Sequence, residues 1–587
     1  MRRTVAVVAA LALAAGPAVA ATDPSTPARR WAAIAELRER LARRLPGLRP
    51  EFAKAAAPGF FSAALISTPD LDGDRGDEVI DLRVTGSQAA DGSYTETTAF
   101  HVHRGRDGKR LWSRTLSGTG FAFPLPARVG AQGRPGVIVV SYDFELTNAA
   151  AAVGVSRTVV TAYDARGKAV WSFSSDGTGV GGPVSGGGGA TTYVVGLIDA
   201  VPGGPDEVLV STIVSERQRA TQAAYANVGT VVPAILDGTT GQARRLTPVA
   251  ATSDAFATPI GDIDGDRAED VVVTGGAGPA ESFALAQSSA DGRVLWSARE
   301  LPPAEAVYPK VVPDATGDGV ADVLVETSDD AAAPLAVKQD PYVTLLDGRT
   351  GAQRWRRVGA AGYSLGDADR RRGAEVAVAE AIVNNERLGV RLAAYDAAGR
   401  RIWVTTRTVA FDLSRVRFAV LGVTPSGDTD GDRVNELLYS IQVTGSAALS
   451  AVGVVDGRTG RTRSAGAAGL APAGAIDGRG ADAVGVEAGY GSFAVTAWRG
   501  STGRKLWTVW FATYWLATSG IETAYADRDR CADVLAGVAS HDVATATHYV
   551  LSGATGRPLW ALTRTKLGAA RISRPKPLAH QRFARTC

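Results

Sequence analysis

From about Phe60 onward, short apolar runs rich in Val, Ile and Leu alternate with turns rich in Asp, Gly and Thr. The run Val271 to Thr274 follows an acidic stretch directly, and its β-branched composition favours a strand over a helix. One unit recurs at roughly 45 to 75 residues. It comprises a short strand, an acidic loop, a β-branched strand, a third strand closed by an Asp-Gly or Thr-Gly turn, and a fourth strand carrying Trp. The loops begin near Asp70, Ala127, Asp199, Asp262, Asp314, Asp367, Asp428, Gly474 and Asp527. The second marker keeps step with them: Asp107 to Trp112, Asp164 to Trp171, Asp237 to Arg245, Asp291 to Trp296 and Asp347 to Trp355. It continues as Asp396 to Trp403, Asp456 to Ser464, Gly500 to Trp507 and Gly553 to Trp560.

Asp-Gly and Thr-Gly turns supply the positive φ of tight hairpins. Four-stranded sheets packed radially bury both of their faces. The expectation is an all-β chain forming a single large β-propeller over residues 59–566. Nine repeats predict eight or nine blades, one unit being an edge appendage if the count is eight.

The ends read differently. Residues 1–20 have the form of a secretory signal: Arg2 and Arg3, an apolar run from Val5 to Ala15, then Ala18-Val19-Ala20 as a small-residue cleavage site. Residues 21–58 comprise a polar leader and an amphipathic helix over about Ala28 to Leu45, with Trp31, Ile34, Leu41 and Leu45 near one face. Pro46 and Pro50 end that helix, which is expected to pack on the main domain. Residues 567–587 form a basic C-terminal tail. The apolar run of the signal is too short to span a bilayer, and no later stretch approaches a transmembrane segment. The expectation is a secreted, soluble monomer.

Composition narrows the partners. The 587 residues are 45% hydrophobic and 21% charged, with a net charge of +3 and no dense basic patch interleaved with aromatics, which argues against nucleic acid. In an oxidising compartment the two cysteines, Cys531 and Cys587, are expected to pair.

The stretch Gly261 to Thr274 carries the clearest chemistry. Asp262, Asp264, Asp266 and Asp270 take positions 1, 3, 5 and 9 of a nine-residue loop, with Gly265 relieving the turn. Carboxylates about 4 Å apart repel by roughly 4 kcal/mol per pair at an effective dielectric near 20, so such a loop calls for a cation. A hard, all-oxygen donor set suits calcium. An EF-hand would put Gly at position 6 and Glu at position 12, where this chain has Arg267 and Val273.

The loops at Asp262, Asp428 and Asp70 resemble the FG-GAP/VCBS repeats of the integrin α-subunit head and of many exported bacterial proteins. The Asp-Gly-x-Thr-Gly turns followed by Trp are also similar to those of quinoprotein-like propellers, although the adjacent-cysteine pair of that group is missing, which argues against a bound quinone. The FG-GAP/VCBS resemblance implies calcium in the first-to-second-strand loops of several blades, and implies no particular activity. Four loops fit its pattern. The first offers Asp70, Asp72, Asp74 and Glu78, with the carbonyl of Gly76. The fourth offers Asp262, Asp264, Asp266 and Asp270, with Ala268. The fifth offers Asp314, Thr316, Asp318 and Asp322, with Val320. The seventh offers Asp428, Asp430, Asp432 and Glu436, with Val434. The sixth keeps Asp367, Asp369 and Glu375 but has Arg371 at position 5, whose guanidinium is expected to replace a metal. The second, third, eighth and ninth loops are read as short or lacking the acids.

Other motifs fail on context. Gly362 to Gly366 spells G-x-S-x-G without the strand, turn and helix of a nucleophile elbow. Gly177 to Gly182 fits a dinucleotide fingerprint but opens no helix. Arg75-Gly76-Asp77 lies inside a metal loop. His101 and His103 alternate on one strand without zinc spacing and are read as packing residues. The functional expectation is a binding scaffold for an extracellular protein or glycan, without catalysis, using the long connections on the face opposite the acidic loops. An extracellular polysaccharide lyase or hydrolase on the same scaffold is the alternative.

Overall fold

A computed structural model describes residues 59–582, apart from internal stretches of which 176–188, 217–227 and 329–340 are the longest. The expected signal, leader and amphipathic helix lie outside the described residues. Two compact units are distinguished. One, residues 61–85 with 96–587, holds nearly all that is described; of the other, Met1–Phe60 with Gly86–Thr95, only strand ends are described.

The larger unit is a nine-bladed β-propeller of antiparallel sheets. Each blade is built from consecutive strands in the order first to fourth. Blade 4 is representative: Phe256–Gly261, Asp270–Gly278, Glu281–Gln287 and Val294–Leu301. The first strands of neighbouring blades touch one another, which puts them innermost. The repeat count therefore equals the blade count, and no unit is an appendage.

Blade 3 departs from the pattern for a local reason. Its fourth strand is only Ala243–Arg245, and Val249–Ala251 pairs separately with the far end of the third strand. Pro248 lies in the break, where a residue without an N–H cannot continue the ladder.

The cores lie between blades. The second strands place alternate valines toward each neighbour; Val271 and Val273 join the cluster shared with blade 3, while Val272 joins that shared with blade 5. Fourth-strand tryptophans fasten seven of the nine blades to the next, blades 3 and 7 carrying none. Trp112 Nε1–H donates to the carbonyl of Ala165 at 3.0 Å, Trp171 to Gly238 at 2.8 Å, Trp296 to Gly348 at 2.7 Å and Trp403 to Gly457 at 2.8 Å. Each ring lies against a turn glycine of the following blade. Gly351, at φ 71°, would bring a Cβ within 2.5 Å of Trp296, so both its conformation and its smallness are required.

Trp560 of blade 9 donates in the same way to Gly105 of blade 1, which closes the circle. Leu65 and Val79 of blade 1 share a buried cluster with Leu535, Val550, Trp560 and Leu562 of blade 9.

The expected C-terminal tail is partly taken up by the sheets. Ala570–Ser573 pairs with the fourth strand of blade 9, and Ala579–Arg582 with the fourth strand of blade 8. Cys531 is fully buried and disulfide-bonded. The sequence offers only Cys587 as its partner, and that residue lies outside the described ones.

Candidate metal loops

Every acidic loop joins the first strand of a blade to the second, and the acid at position 9 opens that second strand. This acid ties the loop together. Asp270 accepts the N–H of Ile263 at 2.9 Å and that of Ser289, in the third-to-fourth-strand turn, at 3.1 Å. Glu78 and Glu436 accept the position 2 N–H of Leu71 and Thr429 in the same way. The acidic loops and the Asp-Gly turns therefore share one face, as the expected blade topology requires.

The acid at position 1 organises the rest. Asp70 Oδ1 accepts the N–H of Gly73 at 2.7 Å and of Asp74 at 3.0 Å, and its Oδ2 accepts that of Arg75 at 2.8 Å. Asp262 and Asp428 bind their loops alike. The backbone turns left-handed at positions 4 and 6 to allow this. Gly73, Gly265 and Gly431 supply the first such site, while Arg75, Arg267 and Arg433, at φ 74°, 75° and 67°, occupy the second. A left-handed non-glycine residue costs roughly 1–2 kcal/mol, so the loop geometry is held against local preference.

Five carboxylate groups converge, each with ligand oxygens within 4.8 Å of one another. They are Asp70, Asp72, Asp74 and Glu78; Asp262, Asp264 and Asp270; Asp428, Asp430 and Glu436; Asp367, Asp369 and Glu375; and Asp527, Asp529 and Asp533. The first three are among the four expected sites, although Asp266 and Asp432 stand outside their groups. Asp266 accepts the Ala268 N–H at 2.8 Å, and Asp432 is paired with Arg458 at 2.8 Å. At position 7, Gly76, Ala268, Val320 and Val434 are all buried. Val320 and Val434 belong to inter-blade clusters, which fixes the backbone that carries their carbonyls.

The fifth loop does not gather its acids. Both oxygens of Asp322 are engaged by backbone, Ala315 and Thr316 on one and Gly348 on the other, and Asp318 pairs with Arg349 at 3.2 Å. Thr316 brings no charge to hold the set together.

Two loops read as empty or lacking acids do converge. Arg371 does not fill the sixth loop: its side chain is 68% exposed and meets only the outer oxygen of Asp369, at 3.6 Å. The ninth loop begins two residues before the expected Asp527. Ala526 donates to Asp533 at 2.8 Å, which makes Tyr525 position 1 and gives Asp527, Asp529 and Asp533 positions 3, 5 and 9.

The electrostatics fit a cation. Burial pushes Glu78 up to about 8, with Asp72, Asp70 and Asp74 adding to the rise, and burial with Asp527 and Asp529 pushes Asp533 up to about 8. Burial lifts Glu375 to about 7 and Asp270 to about 6. Glu78 is fully buried, and its Oε1 faces no hydrogen-bond donor among the described residues while Oε2 holds Leu71. A buried carboxylate oxygen beside three further acids suits a metal better than an apolar void.

Arginines of the third-to-fourth-strand turns, unrecognised in the sequence, cap the rim: Arg104 meets Asp72 at 2.7 Å, Arg293 meets Asp264 at 2.6 Å and Arg499 meets Asp477 at 2.5 Å. The seam between blades 9 and 1 has its own pair, Arg528 with Asp74 at 2.7 Å.

The remaining motifs have structural places. Ser364 lies within the first strand of blade 6, so its G-x-S-x-G is no elbow. Gly76 of the Arg-Gly-Asp triplet is buried against Ala526, and Asp77 donates to the Tyr525 carbonyl at 3.0 Å. Gly177 to Gly182 lies outside the described residues.

A scan against protein-family models finds no match, and no curated protein sequence matches. Similar solved structures include the exotype rhamnogalacturonan lyase YesX, at 15% identity and a TM-score of 0.42, covering 84% of this chain and 73% of that one. The rhamnogalacturonan lyase YesW is similar at 14% identity and 0.38, covering 83% and 84%. The Bacillus licheniformis rhamnogalacturonan lyase PL11 is similar at 15% identity and 0.38, covering 84% and 90%. At such identities nothing about activity passes from these enzymes to this chain. Among the described residues no helix is long and apolar enough to cross a membrane.

Proposed function

We propose that the protein is an exported, calcium-stabilised propeller of the FG-GAP/VCBS type that binds an extracellular protein or glycan and performs no chemistry on it. The observation that carries this reading is how the recurring acids are used. Asp70, Asp262 and Asp428 are spent on their own loop backbones, and Glu78, Asp270 and Glu436 fasten loop to strand. That is a structural use of carboxylates, and a cation at their convergence completes it. The donor set is oxygen only, with no His or Cys in any of the five groups, which favours calcium over zinc.

A ring stiffened in this way presents its long connections as a binding surface. Three of these, at 176–188, 217–227 and 329–340, lie outside the described residues. The test is a glycan array and a partner pull-down with the whole exported protein, in calcium and in chelator, beside a turnover screen on polysaccharides. Saturable binding that weakens with chelator, without turnover, is the expected result. Product formation would replace this reading with that of a polysaccharide-active enzyme.

A further inference from the structure

In blade after blade, the residue three places beyond the position 9 acid is apolar and packs against the preceding blade. Val273, Val325, Val378, Tyr439 and Ala536 all lie in buried clusters there. Blade 1 breaks the rule. The equivalent residue is Asp81, fully buried, and Arg83 follows on the same side of the strand two residues later. Charged groups are not placed at an inter-blade core for stability alone, because desolvating them costs several kcal/mol each.

Here the flank of blade 1 and the edge of blade 9 enclose a cavity of about 660 Å³, within the size of small-molecule sites. Its wall on blade 1 carries Arg83, Arg110, His101 and His103; its opposite wall carries Leu562 and Ile572. His103 is 2% exposed and is fixed on two sides. Its Nδ1–H donates to the Gly108 carbonyl at 2.8 Å, and its ring lies 5.9 Å from that of Trp560. His101 stands 6.3 Å from it, ring to ring. A wall bearing two arginines that faces an apolar one matches a small molecule with an anionic group on a carbon skeleton.

We infer that this cleft binds a small oxyanion-bearing molecule, its carboxylate, sulfate or phosphate group held by Arg83 and Arg110 and its carbon body against Leu562 and Ile572. The site lies on a blade flank and stands whether or not the loop face binds a partner. Calorimetric titration of the whole protein with sulfate, phosphate and glucuronate tests it, against chloride and uncharged glucose as blanks. One oxyanion per chain is expected, and the preferred probe identifies the anion. Arg83→Gln weakens it by about tenfold to a hundredfold, the range for loss of a charge-assisted contact. Thr115→Trp, which fills the exposed side of the cavity and keeps every charge, abolishes it; Arg391→Gln on blade 6 changes nothing. If Arg83→Gln fails to fold, Thr115→Trp decides alone. Binding no stronger than chloride, or undiminished binding in Thr115→Trp, overturns the inference.

Discussion

Replacing Glu78 by Gln alters one buried atom and removes one negative charge, so its effect on melting separates a cation site from a bare acidic turn. Without cation, the folded protein holds Glu78 at about 8 against an ordinary 4.5. At pH 7 the folded state keeps a proton that the unfolded chain has released. Glu78 therefore costs nothing below about pH 4.5, and the cost grows with pH to on the order of 3 kcal/mol at pH 7. Gln carries no such cost and still accepts the Leu71 N–H, so in chelator at pH 7 the variant melts higher than the parent.

With calcium in excess most of that advantage disappears. Ionised Glu78 is then a ligand, and a hundredfold loss of affinity removes about 2.7 kcal/mol of linkage. A ring of about 500 residues has a melting entropy near 1 kcal/mol per kelvin, so each effect amounts to about 3 °C. Calorimetry of both proteins with calcium and with chelator, at about pH 5, 7 and 9, reads them directly. In chelator the parent loses stability as pH rises, whereas the variant loses less. A shift of the same size in calcium and in chelator refutes the cation reading of this loop.

Trp560→Phe deletes the N–H that closes blade 9 onto blade 1 and strands the Gly105 carbonyl; a loss of about 2–4 kcal/mol is expected in calorimetry. An unchanged midpoint would mean that the circle is held elsewhere. Cys531→Ala opens a covalent loop of about 56 residues and should cost about 4 kcal/mol, matched by the effect of reductant on the parent. Arg267→Gly relieves a left-handed residue at φ 75° but frees the unfolded chain, so a net gain below about 1 kcal/mol is expected. A loss exceeding that in denaturant titration would show that the Arg267 side chain contributes to the loop. Glu522, which burial raises to about 7, accepts the Ser67 N–H across the seam; Glu522→Gln should remove a loss of stability that sets in as pH climbs from about 5 to 7.

The blade count was legible because two unrelated signals kept step, a β-branched strand after an acidic loop and a tryptophan after a glycine turn. Both have a direct physical reason. The acid at position 9 fastens the loop, and the tryptophan needs a glycine to lie against. The loop ligands were only partly legible. Counting acids from position 1 missed the ninth loop, where Tyr525 stands at position 1 and the acids at 3, 5 and 9 converge all the same. Arg371 looked like a substitute for metal because sequence does not tell where a long side chain goes, and it goes to solvent. The Asp314 loop differs at position 3, where Thr316 stands in place of the acid that Asp264 supplies, while Asp322 accepts backbone donors from two turns just as Asp270 does. The rim arginines and the basic cleft were hidden for a different reason. They come from strands and turns far apart in sequence, and Asp81 and Arg83 betray themselves only when the blades are laid over one another.

The first four strands of each blade come from one length of chain, blade 8 gaining Ala579–Arg582 at its edge from beyond blade 9, and among the described residues no strand from one end completes a sheet at the other. A whole unit can thus be copied in or dropped out without rethreading its neighbours, provided that the newcomer offers a turn glycine to one side and a tryptophan to the other. Architecture of this kind grows by modular accretion. The join between last and first units, which among the described residues no strand crosses, is then the gate through which such a circle opens to admit another member.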